Sequence, residues 1–326
     1  MEEIQPQSQD VQMGSEELLY FWALGDLHYS DQSEWQVHHA PRMRRMFRDL
    51  RQLWRREQRP AFCVSPGDII EMAEPGHYQL ACQQLRLNLE TVPFYPGLGN
   101  HEFFTYGGES MAELLEYFST FWSQAPRYYW IHREVLCVML DVVGYPRPML
   151  TRDALFFLEI ALAKHPQHIA IIFAHCPLYN TVLAREPVSD LDYNSLEPFF
   201  SLENSAEVRA ILARHTNARL YISGHTHTGW HAPSLVVTEN LGGHPVTHIN
   251  LSSPWYTGRN HGAKWQEDEQ RFDYRADQPD HVASFAVHVS REQIHLRLRD
   301  HDTGSWLDEW HLSVSDPTPL GGSLPG

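Results

Sequence analysis

Five short polar motifs in the 326-residue sequence combine residue types that bind metal ions. In chain order they are Asp26-x-His28, Gly67-Asp68, Gly99-Asn100-His101-Glu102, His175 and Gly224-His225-x-His227. The Asp-x-His and His-x-His pairs put two ligands on one side of an extended chain, because side chains alternate with period two. Carboxylate, amide oxygen and imidazole together suit Mn²⁺, Fe²⁺ or Zn²⁺, and the motifs contain no thiolate set of the kind that holds structural zinc. The five motifs together predict a metal site.

Each motif directly follows an apolar run that is typical of a buried strand. The sequence predicts strands over 18–24, 61–64, 92–95, 168–173 and 219–222, and helices over 41–58, 76–90, 108–123, 153–164 and 205–214. Repeated strand, crossover helix and strand indicate an α/β fold with a mostly parallel sheet. Because such sheets bind ligands at the carboxyl ends of their strands, we expect the five motifs to meet at one edge.

The remaining predicted elements complete a single domain. The apolar run 128–143 is expected to turn as a hairpin at Arg133-Glu134, and residues 229–262 are expected to form a loop. Residues 284–290, 294–299 and 306–314 alternate apolar and polar side chains, which predicts an antiparallel meander. We therefore predict a flexible acidic tail over 1–17, a domain over 18–314 and a flexible tail over 315–326.

Composition narrows the classes of function. The net charge of −16 argues against general nucleic-acid binding, but it permits a phosphate substrate if metal ions supply positive charge. The four cysteines form no C-x-x-C pair, residues 1–17 lack a signal-peptide core, and no apolar stretch reaches 18 residues. These features predict a cytoplasmic protein without a membrane partner. The eight arginines from Arg42 to Arg59 are interpreted as the solvated face of an amphipathic helix, with an anionic docking surface as the alternative.

From Asp26 to His227 the chain resembles the calcineurin-like metallophosphoesterases. The resemblance implies a four-layer α-β-β-α sandwich of two mixed sheets, with the closing meander completing the second sheet. It also implies two divalent metal ions (Mn, Fe or Zn), bound by Asp26, His28 and His227 and by Asn100, His175 and His225, with Asp68 bridging. A hydroxide between the metals would attack phosphorus, and His101 would protonate the leaving oxygen or stabilise its charge.

Elementary chemistry agrees with these implied roles. Two cations about 3.5–4 Å apart neutralise phosphate oxygens and lower the pKa of an attacking water. Asp68 has two oxygens with which to bridge them, and Asn100 adds an oxygen ligand without adding negative charge. His101, whose ordinary pKa is near 6.5, suits proton transfer. Glu102 is expected either to orient His101 or a metal-ligating histidine, or to be a solvated loop acid.

Subgroup markers refine the resemblance. The serine/threonine protein phosphatases carry Asp-Arg-Gly after the second motif, whereas Asp68 is followed here by Ile-Ile-Glu. Purple acid phosphatases place a tyrosine where Glu71 stands. The chain is most similar to the bacterial cyclic-nucleotide phosphodiesterase group. It departs from that group at Glu102, where the group usually has an aspartate. This predicts a phosphodiesterase acting on a cyclic nucleotide or other small phosphoester; the alternatives are a phosphomonoesterase with the same site and an inactive binding scaffold.

Loops over 29–40, 103–108, 177–194 and 229–262 are expected to surround the site. Several side chains in these loops are candidates to stack on a base or hold a phosphate oxygen: Trp35, Tyr106, Trp255, Tyr256, Arg259 and His261. For Trp255 and Tyr256, packing of the loop against the core explains the residue types equally well. Cys176 is expected to pack rather than to act as a redox thiol.

Overall fold

The structure is a computed structural model that describes residues 16–33, 35–182, 194–228, 234–254, 264–266, 271–273 and 281–314. The strands are β1 (Glu17–Ala23), β2 (Phe62–Ser65), β3 (Phe94–Pro96), β4 (Tyr128–His132), β5 (Val135–Met139), β6 (Ile169–Phe173), β7 (Ala218–Ser223), β8 (Val236–Leu241), β9 (His244–Asn250), β10 (Lys264–Gln266), β11 (Arg271–Asp273), β12 (Ala283–Ser290), β13 (Gln293–Asp300) and β14 (Ser305–Ser313). The helices are α1 (Ala40–Arg56), α2 (Pro75–Leu89), α3 (Met111–Trp122), α4 (Arg152–Lys164) and α5 (Ser205–Arg214). Short helical turns cover Trp35–His39 and His101–Phe103.

The strands form two six-stranded mixed sheets, as the resemblance implied. The first sheet has the order β14-β13-β12-β1-β2-β3, and the second has the order β4-β5-β6-β7-β9-β8. Strands β1, β2 and β3 are parallel, as are β5, β6, β7 and β9. The pair β10 and β11 lies outside both sheets. The five motifs therefore follow strands of two sheets, and the expectation of one sheet edge is wrong.

Three hydrophobic clusters show the four layers. Phe21, Phe173 and Phe285 belong to the cluster between the two sheets. Trp22 faces the opposite way, into a cluster with the apolar stripe of α1, because neighbouring strand residues point to opposite faces. Leu158 of α4 belongs to a third cluster, on the outer face of the second sheet. Strand β1 is thus buried on both faces, as its continuous apolar run predicted, and each large apolar side chain buried stabilises the fold by about 1.5–3 kcal/mol.

The closing meander joins the first sheet, not the second. Strand β12 pairs antiparallel with β1, placing His288 opposite Tyr20. Because β2 occupies only one side of β1, the meander covers the other side and prevents an exposed central edge. The resemblance was therefore wrong in assigning the meander to the second sheet.

A hairpin, β8–β9, occupies part of the predicted loop 229–262. Gly242 and Gly243 form its turn with φ values of 62° and 95°, the left-handed conformation that two-residue hairpin turns favour. The Gly-Gly pair between β-branched segments was the signal for it. Among the described residues, no helix is long and apolar enough to cross a membrane.

Candidate metal centre and active site

The predicted metal ligands gather where the loop ends of the two sheets meet. Each lies just after one of five strands, β1, β2 and β3 in the first sheet and β6 and β7 in the second. All seven are at most 5% exposed: Asp26, His28, Asp68, Asn100, His175, His225 and His227. Residues from distant parts of the chain therefore form one buried polar cluster.

Asp26, His28, Asp68 and His227 offer ligand atoms that lie within 4.8 Å of one another. The Nε2 atoms of His28 and His227 are 3.0 Å apart, and Nε2 of His28 is 3.8 Å from Oδ2 of Asp68. Oδ1 of Asp26 accepts the backbone N–H of His225 at 2.9 Å, whereas its buried Oδ2 has no hydrogen-bond partner in the described part of the chain. A buried carboxylate oxygen without a donor fits a cation, because leaving it unpaired is costly.

A second group shares Asp68 with the first. Nε2 of His175 lies 3.1 Å from Oδ2 of Asp68 and 3.1 Å from Oδ1 of Asn100. Ligand atoms of Asp68, His175 and His225 lie within 4.8 Å of one another. Nε2–H of His225 donates to the carbonyl oxygen of Phe199 at 2.8 Å, which leaves the Nδ1 lone pair for a metal. The two groups can therefore hold two ions with Asp68 between them.

Burial and mutual charge shift the pKa values of these groups. Burial raises the pKa of Asp26 to about 6, against the charge of His175. Burial and the charge of His175 lower the pKa of His225 to about 3, and burial and the charge of His28 lower that of His227 well below its usual range. His225 and His227 are thereby kept neutral, the protonation state that a metal ligand requires. Against the effect of burial, the hydrogen bond to Glu71 raises the pKa of His28 to about 9, and the charge of Asp68 raises that of His175.

Five of the seven ligands have positive backbone φ angles, between 25° and 70°: Asp26, His28, Asp68, His225 and His227. Non-glycine residues rarely adopt this conformation, and it costs about 1–3 kcal/mol at each position. Such strain persists only where the surrounding structure imposes it, and it concentrates at functional sites. The strand ends thus hold the ligands in positions that the local sequence disfavours.

Two glycines of the motifs make room for the carboxylates. A Cβ at Gly99 would lie 2.2 Å from Oδ1 of Asp68, and a Cβ at Gly224 would lie 2.4 Å from Oδ2 of Asp26. Neither φ angle lies in the left-handed region, so the requirement is for space rather than for a sharp turn. A side chain at either position would displace a predicted metal ligand.

Residues 19–229, more than half of the chain, match the family model described as calcineurin-like phosphoesterase. The chain belongs to the calcineurin-like phosphoesterase family. This membership makes it a metal-dependent phosphoester hydrolase. No curated protein sequence matches it.

Solved structures with the same fold include two phosphatases. A dimetal phosphatase from Danio rerio is 16% identical, with a TM-score of 0.60 over 92% of this chain and 100% of that one. A purple acid phosphatase from yellow lupin (Lupinus luteus) seeds is 14% identical, with a TM-score of 0.59 over 94% of this chain and 57% of that one. GAP50, the anchor in the inner membrane complex of Plasmodium, is 14% identical, with a TM-score of 0.54 over 92% and 90%. At these identities the likeness concerns the fold.

Glu102 of the phosphoesterase is a buried clamp on the motif loops. Its carboxylate, which is 0% exposed, accepts backbone N–H groups of Asp68 at 2.9 Å, Ile69 at 2.8 Å, Ile70 at 3.3 Å and Gly99 at 2.6 Å. It thereby ties the loop after β2 to the loop after β3. Among the described contacts it bonds to no histidine side chain and it faces no solvent, so both expectations for Glu102 are wrong.

His101 lies beside the ligand cluster and is oriented by Glu71. Nδ1–H of His101 donates to the carbonyl oxygen of Glu71 at 2.7 Å, and its backbone N–H donates to Oδ1 of Asp68 at 2.9 Å. The Glu71 carboxylate accepts Nδ1–H of His28 at 2.8 Å. Since a carbonyl oxygen can only accept, Nε2 of His101 is the nitrogen left for substrate. No role was predicted for Glu71, although it stands at the position where purple acid phosphatases place a tyrosine.

The structure describes two of the six predicted substrate contacts, Trp35 and Tyr106. Trp35 is 3% exposed and packs against Tyr29 and His39, so it has almost no surface for a substrate and that prediction is wrong. Tyr106 is 74% exposed, and its role stays a prediction. The other four candidates lie outside the described residues: Trp255, Tyr256, Arg259 and His261.

An aromatic wall that the sequence did not indicate flanks His225. The ring centroids of Tyr145 and Phe199 lie 5.9 Å and 5.3 Å from that of His225, and Phe199 is 36% exposed. The Tyr145 hydroxyl lies 3.2 Å from Sγ of the buried Cys176, and burial raises the pKa of that thiol well above its usual range. Cys176 therefore packs as an unreactive thiol, and Tyr145 is fixed beside the cluster.

Proposed function

We propose that this phosphoesterase binds two divalent ions (Mn, Fe or Zn) and hydrolyses a small phosphodiester such as a cyclic nucleotide. One ion would be held by Asp26, His28 and His227 and the other by Asn100, His175 and His225, with Asp68 between them. When bound, the ions neutralise phosphate oxygens and lower the pKa of the water that attacks phosphorus. The observation that carries the proposal is that two ligand groups share Asp68. Beside them lies Oδ2 of Asp26, a buried oxygen with no hydrogen-bond donor among the described residues.

His101 is the proton donor in this proposal. Its side chain is 20% exposed, whereas the ligands around it are nearly inaccessible. Nδ1–H of His101 donates to the Glu71 carbonyl oxygen, so a second proton, on Nε2, is the one that could be donated to a leaving oxygen. Burial lowers the pKa of His101, with the charge of Asp68 opposing it, and a lower pKa makes the doubly protonated ring a stronger acid.

The aromatic wall supports a substrate with a flat ring. Tyr145 and Phe199 offer ring surface next to the second ligand group, where a nucleobase attached to the phosphate would stack. The net charge of −16 disfavours a nucleic-acid polymer, because long polyanions need many positive contacts. These two features support a small nucleotide substrate.

A phosphomonoesterase is the second candidate, favoured by the fold likeness to a dimetal phosphatase and a purple acid phosphatase. The likeness to GAP50, an anchor, favours an inactive scaffold instead. Retention of all seven ligands and His101 supports an enzyme over a scaffold, since a scaffold has no need of strained, buried ligand residues.

The test is a substrate panel with the metal-loaded protein. The panel contains bis(p-nitrophenyl) phosphate, p-nitrophenyl phosphate, and 2′,3′- and 3′,5′-cyclic AMP, with the Asp68→Asn variant as the control for contaminating activity. We expect faster cleavage of diesters than of the monoester, and cleavage of a cyclic nucleotide. Cleavage of the monoester alone would replace the proposal with the phosphomonoesterase, and two bound ions without any turnover would favour the scaffold.

A further inference from the structure

A row of four aromatic side chains crosses the first sheet far from the motif loops. Tyr20 on β1, His288 on β12, His295 on β13 and His311 on β14 are successive cross-strand partners. Tyr20 and His288 stack with ring centroids 4.2 Å apart, and so do His295 and His311. The row lies on the helix-bearing face and crosses β1 at its middle residue, whereas the predicted active-site ligands follow the end of that strand.

The outer end of the row contains a carboxylate. Glu309 lies two residues before His311 on β14 and therefore points to the same face. Nε2 of His295 lies 3.2 Å from Oε2 of Glu309. Ligand atoms of His295, Glu309 and His311 all lie within 4.8 Å of one another. The side chains are 26% exposed for His295 and 61% exposed for Glu309, so an ion can reach them from solvent.

We propose that His295, Glu309 and His311 form a zinc site that is separate from the predicted dinuclear centre. Zinc bonds of about 2.0–2.2 Å to nitrogen and oxygen in a tetrahedron place neighbouring ligand atoms about 3.3 Å apart. The His295–Glu309 separation already has this value. For zinc to bind, the Nε2 proton that His295 donates to Glu309 would pass to solvent water, which frees the Nε2 lone pair. Rotation of the exposed His311 ring would bring in the third ligand, with water as the fourth.

Among the described contacts, the neighbouring charged side chains do not occupy the ligand atoms of the proposed zinc site. Arg297 is the cross-strand partner of Glu309, but its guanidinium lies over the Trp306 ring, 3.6 Å from the centroid. Glu17 accepts Nδ1–H of His288 at 2.7 Å, which occupies that histidine. A cavity of about 270 Å³, lined in part by Glu17, His288, His295 and Arg297, adjoins the site and gives room for a hydrated ion.

A zinc ion here would join β13 to β14, the edge strand of the first sheet. Edge strands expose unpaired backbone groups, and a cross-strand metal bond fixes the register of the last pair. The site would thus act on the stability of the meander and not on the chemistry at the motif loops.

The experiment counts zinc ions per chain in full-length protein after dialysis against a zinc buffer of fixed free concentration. The wild type is compared with His295→Gln/His311→Gln and with the single variant Glu309→Gln. The matched control is His132→Gln, which removes a partly exposed histidine of β4 that belongs to none of the ligand clusters in the described part of the chain.

We expect the double variant to hold one zinc ion fewer than both the wild type and His132→Gln, with unchanged turnover of the diester per folded chain. Glu309→Gln, which leaves the fold least disturbed, should bind the surface ion at least about 10-fold more weakly, because loss even of a residue that only supports a metal ligand costs about 10- to 100-fold in affinity. Equal zinc in the wild type and the double variant would overturn the proposal. So would a one-ion loss accompanied by lost turnover, because the missing ion would then belong to the active site.

Discussion

Two polar clusters of this phosphoesterase, one partly buried and one fully buried, balance their charges in different ways. In the first, the carboxylate of Asp49 in α1 accepts two hydrogen bonds from Arg299 at 2.9 Å and 2.8 Å and one from His301 at 2.9 Å. In the second, the ligand cluster, Oδ2 of the fully buried Asp26 has no donor among the described residues. In the first cluster, side chains of the protein supply donors to the carboxylate. In the second, a cation would supply the missing partner of Asp26 Oδ2.

The pKa values of the two aspartates express the same difference. Burial alone would raise the pKa of Asp49, but the hydrogen bonds from Arg299 and His301 outweigh it and lower the pKa to about 2. For Asp26 burial dominates and the pKa rises to about 6. Asp49 is thus satisfied by partners within the protein, whereas a fully buried carboxylate with a raised pKa, as at Asp26, is typical of a functional site.

The largest effect is expected from Asp68→Asn, which removes the charge shared by both ligand groups. Turnover should fall about 10³- to 10⁴-fold, because metal ions supply several kcal/mol of transition-state stabilisation and each tenfold costs about 1.4 kcal/mol. Metal content per chain should fall with it. Asp153→Asn is the control, since it changes an exposed acid of α4 that belongs to none of the ligand groups in the described part of the chain. Turnover at the wild-type level in Asp68→Asn would remove this residue from the metal centre.

His101→Gln should separate chemistry from metal binding. We expect turnover to fall about 10²-fold, the usual contribution of a positioned proton donor, while the metal content stays that of the wild type. His132→Gln is again the matched control. Loss of metal in His101→Gln would show that this histidine is a ligand and that the proton donor lies elsewhere.

Glu102→Gln tests whether the clamp supports the ligands. An amide has only one acceptor oxygen. Its NH₂ group would face either the two N–H donors that bond to Oε1 or the two that bond to Oε2, so the two loops should lose their fixed spacing. Metal affinity, measured by competition with a chelator, should fall about 10- to 100-fold. Glu102→Asp, which keeps the charge but shortens the reach, should lie between Glu102→Gln and the wild type. Unchanged affinity in both would make the clamp irrelevant to the metals.

The smallest effect on turnover is expected from Asp49→Asn, which should reduce stability alone. A pKa lowered from 3.8 to about 2 corresponds to about 2 kcal/mol of folding free energy. Because the folded pKa is depressed, this stabilisation is fully present above about pH 4 and is lost as the pH falls toward 2. Urea unfolding at pH 6 and at pH 3 measures it, and the difference between variant and wild type should shrink at the lower pH. Chelator should not change that difference at pH 6.

Much of the fold was predictable because its signals are local. The continuous apolar run of β1 and the alternating runs of the meander indicated their strands, and a glycine followed by polar residues indicated where parallel strands end. The structure brings the motif residues together because those strand ends meet.

What the sequence could not predict depends on contacts between distant segments. Glu102 accepts N–H groups more than 30 residues away, so nothing beside it in the sequence showed a clamp. Tyr145 and Phe199 lie in loops without a motif, and Trp35 is buried by the packing of a helical turn. The strand with which the meander pairs could not be predicted either, because it depends on the order of strands in the sheet and not on local sequence.

In the proposed function, two ions complete the ligand cluster and catalysis requires both of them. The most direct measurement is elemental analysis, together with hydrolysis of bis(p-nitrophenyl) phosphate, on chelator-stripped protein reloaded with manganese, iron or zinc. The measurement is made on the His295→Gln/His311→Gln variant, so that zinc bound at the surface site does not contribute to the number of ions per chain. We predict two ions per chain, no turnover after stripping, and turnover restored in proportion to the second ion bound. One ion or none at full activity, or undiminished turnover in the stripped protein, would contradict the account.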